Sequence, residues 1–456
     1  MPHFNPLVEK LSPPPVPSVL AWAKSYDGSR GPLIDLSQAV PGYPAHPDML
    51  AWLGETAAST AYTGYGAIEG EAVLREAYAA HVAGLYGAAV TADNIHITSG
   101  CNQAFICTAM AIAGAGDTIL MTNPYYFNQE TTLSMLGINV ELVPCDAGAG
   151  FLPEVDAISA ALRPGIRALA LVSPNNPTGA VYPPELLARI HEACRAKGVW
   201  LILDETYRDF LPDASVAPHG LLSSEGWQES FIGLYSFSKS FCIPGHRLGA
   251  ITAGPAVIEQ VTKIMDNLQI CAPRSAQAAV AKAIPALADW RQANRAEIAA
   301  RADALRDVMS RLPKWKLQAV GAYFAYVRHP FPDIDSQFIA EKLAKLAASS
   351  AYRAIISAKA KRTTCASPLP MRTPRRSASS KSGWQISHRR ASKKSAESAR
   401  RYPRRAMRMP INTIAPPIAC IRPTGSASSI QARIAATTGC KSRVSDEKAG
   451  GRYASA

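Results

Sequence analysis

The chain has no C-x-x-C pair, no long apolar run and, over its last 110 residues, almost no acid. Its nine cysteines (Cys101, Cys107, Cys145, Cys194, Cys242, Cys271, Cys365, Cys420 and Cys440) are scattered and odd in number. That excludes a disulfide framework and a zinc site, and leaves reduced thiols in a cytosol-like compartment as the expectation. The amino terminus, MPHFNPLVEK, lacks the basic and apolar regions of a secretory signal. The longest apolar run, Ala104–Ala115, is interrupted by Thr108 and Gly114 and is too short to span a bilayer. A soluble, cytoplasmic protein with no metal and no membrane partner is expected. The scarcity of acid explains the net charge of +13. Residues 347–456 carry 23 Lys and Arg against 3 Asp and Glu, whereas the preceding 346 carry 25 against 32. Basicity is thus confined to the tail, and the mildly acidic body gives no sign of a polyanionic partner.

What is present is an α/β alternation. A length of 456 residues suggests two or three domains. Residues 1–32 are proline-rich and read as an arm with a short helix near Val19–Ser25, followed by a strand at Leu33–Ala39. Helical spacing marks Glu71–Leu85. Strands are then expected near Asn94–Thr98, Thr118–Met121, Asn139–Val143, Ala168–Val172, Trp200–Leu203 and Phe231–Tyr235. Helices lie between them, among them Gln103–Ala113, Asn128–Leu136 and Pro184–Lys197. This order predicts a three-layer domain around a mostly parallel sheet, with ligands collecting at the carboxyl ends of the strands. Beyond Pro273 come a long helical region (Ser275–Leu312), a strand (Gly321–Arg328) and a helix (Ser336–Ala347), forming with the arm a smaller α+β domain. The expected divisions are 1–45 (arm and part of the small domain), 46–274 (large domain), 275–346 (small domain) and 347–456. The last is rich in Arg, Lys, Ser, Ala and Pro, has Trp384 as its only tryptophan, and has too little periodic apolar sequence to offset the entropy of ordering.

The chemistry gathers where strands end. In L-Y-S-F-S-K-S-F-C-I-P-G-H-R-L-G, Lys239 follows a buried strand among small hydroxyl-bearing neighbours. Desolvation and nearby positive charge lower the pKa of such a lysine and expose a nucleophilic amine. Ser236, Ser238 and the fork of Arg247 suit a phosphate. An amine beside a phosphate seat points to pyridoxal phosphate held as a Schiff base, although the motif alone also fits a surface lysine after a strand. Ser99-Gly100-Cys101-Asn102 opens a helix and offers an anion seat, or an ordinary strand-to-helix turn. Ser173-Pro174-Asn175-Asn176-Pro177-Thr178-Gly179 fixes an irregular turn from which Asn176 can donate. Asp204 ends an apolar strand and, if buried, needs a cation or proton donor such as a protonated pyridine nitrogen; the alternative is a helix cap. Tyr207, three residues on, can reach a phenolic oxygen. Tyr126 can stack on a flat ring or be plain core, and Tyr65 can offer a phenol to a phosphate.

Together, S-P-N-N-P-T-G, D-E-T-Y and S-F-S-K-S-F-C-I-P-G-H-R-L-G, in that order, resemble the class I/II aminotransferase family of fold-type I pyridoxal-phosphate enzymes, over roughly residues 30–346. The resemblance implies a transaminase acting on an amino acid and a 2-oxo acid. In it, Lys239 carries the cofactor and moves the proton, Asp204 pairs with the ring nitrogen, and Tyr207 and Asn176 hold the phenolic oxygen. Tyr126 would stack on the ring, and Ser236, Arg247 and the Gly100–Asn102 turn (with Cys101) would hold the phosphate. Tyr65 would reach the neighbouring subunit's phosphate, which implies a homodimer. Asn176 and Ala39 fall at the substrate; many relatives carry glycine at the Ala39 position. Relatives also continue past the Ser336–Ala347 helix with a strand, a Pro-Gly turn and an arginine that grips the substrate carboxylate. Nothing after Ala347 reads that way, and the abrupt shift is the pattern an out-of-frame translation of a G+C-rich gene gives. A β-lyase on the same fold would share every residue named. A nucleic-acid binder acting through the basic tail would need a sequence-reading motif, which the tail lacks, and aromatics are sparse there.

Overall fold

The computed structural model describes residues 2–346 except 30 and 214, together with the backbone of 349–351 and 364–368. All of them fall within one compact unit, Met1–Ser382. Its centre is a seven-stranded sheet built from β1 (Ile95–Thr98), β2 (Thr118–Asn123), β3 (Asn139–Pro144), β4 (Ile166–Val172), β5 (Trp200–Asp204), β6 (Phe231–Ser236) and β7 (Gly249–Thr252). They lie in the order β1-β7-β6-β5-β4-β2-β3. Neighbouring strands from β6 through β3 pair parallel, whereas β7 pairs antiparallel with both β6 and β1. Because β7 is flanked by two antiparallel partners, β1 runs with the other five.

The strands are short apolar runs because both faces are covered. In β6 and β7 every residue is buried, and in β5 all but Trp200. Helices Cys101–Ile112 and Pro255–Leu268 pack one face through Phe105, Cys107, Val261 and Met265 against Ile202, Ile232 and Ile251. Helices Ala72–Tyr86, Pro184–Ala196 and Arg274–Ala286 pack the other, with Tyr78, Val82, Ile190 and Val280 against Leu201, Leu203 and Tyr235. The three-layer α/β reading therefore holds. No helix among the described residues is long and apolar enough to cross a membrane.

Several elements differ from the sequence reading, each for a local reason. The long helical region is two helices, Arg274–Ala286 and Ala288–Ser310, parted at Leu287 just after Pro285. The strand expected at Gly321–Arg328 is the second arm of a hairpin: β8 (Lys316–Gly321) turns through Ala322 and Tyr323 into β9 (Phe324–Arg328). The strand after the arm is only Ile34–Leu36. Helices Pro47–Ala57 and Pro255–Leu268, and strand β7, were not expected at all. Beyond residue 346, backbone strands Ser349–Ala351 and Thr364–Pro368 pair with Ile34–Leu36 and β9. The rest of the basic tail lies outside the described residues.

Candidate active site

The topology carries the sequence motifs to one edge. The parallel strands β2, β4, β5 and β6 deliver Tyr126, Asn176, Asp204 and Ser236 just past their carboxyl ends, and β1 delivers Gly100. Since β7 runs the other way, it is its beginning that faces this edge, which brings in Arg247. A cavity of about 160 Å3 results, lined by Cys101, Asn102, Tyr126, Asn176, Asp204, Thr206, Tyr207, Ser236, Ser238, Lys239 and Arg247. Ten sequence-selected residues thus line one cavity. Tyr65 does not join them; it is 81% exposed elsewhere on the surface.

Lys239 sits on a single helical turn, Phe237–Ser240, opened by Ser236, whose hydroxyl accepts the Ser238 N–H at 3.3 Å. Its Nζ donates to the Ala39 carbonyl at 2.5 Å. Burial, and secondarily the Arg247 charge, hold its pKa down to about 8. A neutral, nucleophilic amine is therefore accessible near physiological pH.

Asp204 is 4% exposed at the floor. Its carboxylate accepts Gln129 Nε2 and the Thr206 N–H, each at 3.0 Å, and burial raises its pKa. Those donors are neutral, so a cation in the cavity would find an acid already desolvated and oriented. Gln129 is the residue that sequence reasoning missed. It is 3% exposed on helix Phe127–Met135, and nothing in the local sequence signals its contact with Asp204, 75 residues on.

A helix N-terminus and a guanidinium meet at the cavity wall. Gly100 caps helix Cys101–Ile112 with φ +88°, a conformation natural to glycine, and a Cβ there would collide with the Arg247 guanidinium. At Gly249 a Cβ would lie 2.7 Å from the Cys101 nitrogen. Two glycines thus let the helix N-terminus, where N–H groups lack intrahelical partners, approach Arg247 closely. Arg247 itself is left-handed (φ 52°) and donates to the Pro244 and Ser99 carbonyls at 3.1 and 3.4 Å. The Ser238 hydroxyl, buried here, has no hydrogen-bond partner. Such an orphan is costly unless a ligand atom satisfies it.

Aromatic and amide groups also line the cavity. Tyr126 donates to Asn102 Oδ1 at 3.4 Å. Tyr207 hydrogen-bonds Asn176, and burial raises its pKa. Tyr43 and Tyr323 join hydroxyl to hydroxyl at 3.1 Å in a cluster that includes Tyr207 and Ala39. Tyr326 instead packs on Phe151 in the main core. A carboxylate floor, an amine wall and a donor-rich far end fit a flat, cationic, phosphorylated ring bearing an aldehyde.

Residues 31–360 match the family model described as aminotransferase class I and II. The chain is 32% identical over 319 residues to a valine–pyruvate aminotransferase of Mycobacterium tuberculosis, covering 69% of this chain and 80% of that one. It is 28% identical over 248 residues to an aromatic aminotransferase of Arabidopsis thaliana, covering 53% of this chain and 61% of that protein's length. Among solved structures, an aminotransferase from M. tuberculosis superposes with a TM-score of 0.73 at 27% identity, over 81% of this chain and 95% of the other. A double mutant of Thermus thermophilus aspartate aminotransferase superposes with a TM-score of 0.74 at 23% identity, over 81% and 96%.

Proposed function

The chain belongs to the class I and II aminotransferase family, whose members use pyridoxal phosphate, and on that footing we propose that it moves an amino group between an amino acid and a 2-oxo acid with the cofactor held on Lys239. The observation that carries the proposal is the shared cavity of Lys239 and Asp204. Bound there, the cofactor supplies an electron sink that weakens the bonds to the substrate's α-carbon.

The chain's own residues do the rest. Lys239 Nζ, with its pKa near 8, takes and returns the α-proton, because an amine titrating near the working pH is both an available base and a usable acid. Asp204, desolvated and steadied by Gln129, keeps the ring nitrogen protonated. Arg247, Ser236, Ser238 and the Gly100–Asn102 turn seat the phosphate, and Tyr207 with Asn176 orients the phenolic oxygen. Tyr126 covers the ring face. The Ala39 carbonyl accepts a hydrogen bond from the free amine and releases it when the cofactor attaches. The exposed Tyr65, with Leu50 and Val73 both 54% exposed, supports a homodimer in which Tyr65 reaches the partner's phosphate. Light scattering should give twice the chain mass; a monomer at micromolar concentration would refute that part.

The direct test adds pyridoxal phosphate to the purified protein. A visible absorbance band that survives gel filtration is expected, as is its absence in Lys239→Ala. Adding an amino acid without a 2-oxo acid should convert bound cofactor to pyridoxamine phosphate. Release of pyruvate and ammonia instead would mean a lyase.

A further inference from the structure

A chain of buried polar contacts that the proposed chemistry does not use starts next to the lysine and runs through residues that do not line the cavity. Ser240, the residue after Lys239, shares a 2.7 Å hydrogen bond with the Tyr235 hydroxyl. That hydroxyl also donates to Asp209 Oδ2 at 2.7 Å. The other oxygen, Asp209 Oδ1, accepts from Arg291 Nη1 at 3.3 Å, and Arg291 Nη2 donates to the Ile284 carbonyl at 2.9 Å. Tyr235 and Ser240 are each 2% exposed, and the side chains of Asp209 and Arg291 are 12% and 11% exposed. The Arg291 guanidinium lies 5.2 Å from the centre of the Phe241 ring, and that of Arg208 lies 4.1 Å from the centre of the Tyr235 ring.

These contacts have a direction. Arg291 stands near the start of helix Ala288–Ser310, which packs against the β8–β9 hairpin, while Tyr235 and Ser240 bracket the single turn that carries Lys239. A four-residue helix has almost no stability of its own, so its orientation is set by what grips it. Ser236 grips one end through the Ser238 N–H, and Tyr235 grips the other through Ser240.

We propose that Tyr235 and Ser240, anchored through Asp209 to Arg291, are positioning residues that hold the Lys239 turn so that its amine faces the cofactor's aldehyde, and that they tie this orientation to the seating of helix Ala288–Ser310. The inference rests on the pyridoxal-phosphate reading of the cavity. In the step concerned, the neutral amine of Lys239 adds to the aldehyde carbon, a carbon–nitrogen double bond forms, and the carbonyl oxygen leaves as water. The rate depends on presentation of the amine, whereas affinity for the seat depends on the phosphate and ring contacts.

The experiment separates the two in the full-length apoprotein. Pyridoxamine phosphate, which has no aldehyde, reports the seat alone through its dissociation constant. Pyridoxal phosphate reports attachment through growth of its visible band. Tyr235→Phe, Ser240→Ala and Arg291→Gln should each slow attachment about ten-fold while pyridoxamine phosphate affinity stays within about two-fold. The Tyr235→Phe/Ser240→Ala double variant should be no slower than Tyr235→Phe alone, because that change already breaks the link to Ser240. Attachment at the wild-type rate in Tyr235→Phe and Ser240→Ala overturns the proposal. So does a matched loss of pyridoxamine phosphate affinity, which would mean general loosening. An unchanged Arg291→Gln overturns the tie to the long helix. If wild-type protein binds neither compound, the reading of the cavity itself fails, an outcome distinct from all of these.

Discussion

At the scale of single residues, the site is held together by costs that only a ligand relieves. Lys239 illustrates the sign. Its pKa falls from 10.5 to about 8 on folding, so between those values the unfolded chain binds more protons than the folded one. Stability of the apoprotein therefore rises with pH across that window, and below pH 8 the cost is present in full. Replacing the lysine by an uncharged isostere removes it. Lys239→Met should stabilise the apoprotein at pH 7 by roughly 2 kcal/mol, after discounting for partial exposure and for the lost bond to Ala39. Urea denaturation should show that advantage shrinking as pH rises through the window; equal stability of the two proteins at pH 7 would mean the amine is not desolvated. Lys239, Asp204 and Tyr207 were legible in the sequence because each stands at the end of an apolar strand, where a polar residue needs a reason. Gln129 was not, because the contact that gives it meaning comes from a strand 75 residues away.

At the scale of elements, the proposed phosphate seat depends on backbone as much as on side chains. Gly100 matters for what it lacks. A methyl there would strain a φ of +88° and push against Arg247, so Gly100→Ala should cost more than about 1 kcal/mol and weaken pyridoxal phosphate binding at least about ten-fold. Pyridoxal, which has no phosphate, should bind the variant and the parent alike. If both ligands weaken equally in absorbance titrations, the turn is structural and not a phosphate seat. The turn's sequence hinted at this role, but the strand that brings Arg247 beside it was invisible. The four residues Gly249–Thr252 are too few and too small for a strand pattern, and their place between β1 and β6 is fixed by pairing on both sides. Helix Pro255–Leu268 was readable and missed, since Val257, Ile258, Val261 and Met265 recur at helical spacing after a proline. The hairpin turn at Ala322 and Tyr323 offered no such signal. Neither residue favours a turn, Ala322 takes a positive φ of 45°, and Tyr323 is wholly buried against Phe210 and Tyr207.

At the scale of the whole molecule, the family match ends at residue 360, inside the stretch where the sequence changes character. We propose that the chain leaves its ancestral reading frame near residue 346, and the genetic code lets the amino-acid sequence itself speak to this. Consider the frame that joins the third base of each codon to the first two of the next. Across Tyr352, Arg353 and Ala354, a TAC codon followed by CGG and then GC would give CCG and GGC, which are proline and glycine. The preceding junction, Ala351 to Tyr352, can only give leucine, isoleucine or valine. Further on, the G+C-ending cysteine codon TGC at Cys365, followed by the GC of Ala366, gives CGC, arginine, preceded by leucine or valine from Thr364 and Cys365. With those codons, an apolar residue, a Pro-Gly pair and a later arginine fall in one alternative frame, in the order the family resemblance calls for. The nucleotide sequence decides the matter: codons TAC, CGG and TGC at positions 352, 353 and 365 are expected, and TAT at the first, any codon not ending in G at the second, or TGT at the last would break the pattern. If the codons agree, restoring the frame should leave the attachment of pyridoxal phosphate to Lys239 as it is. It should lower the KM for amino acids at least about ten-fold, because a guanidinium gripping the α-carboxylate acts on the substrate and not on the cofactor.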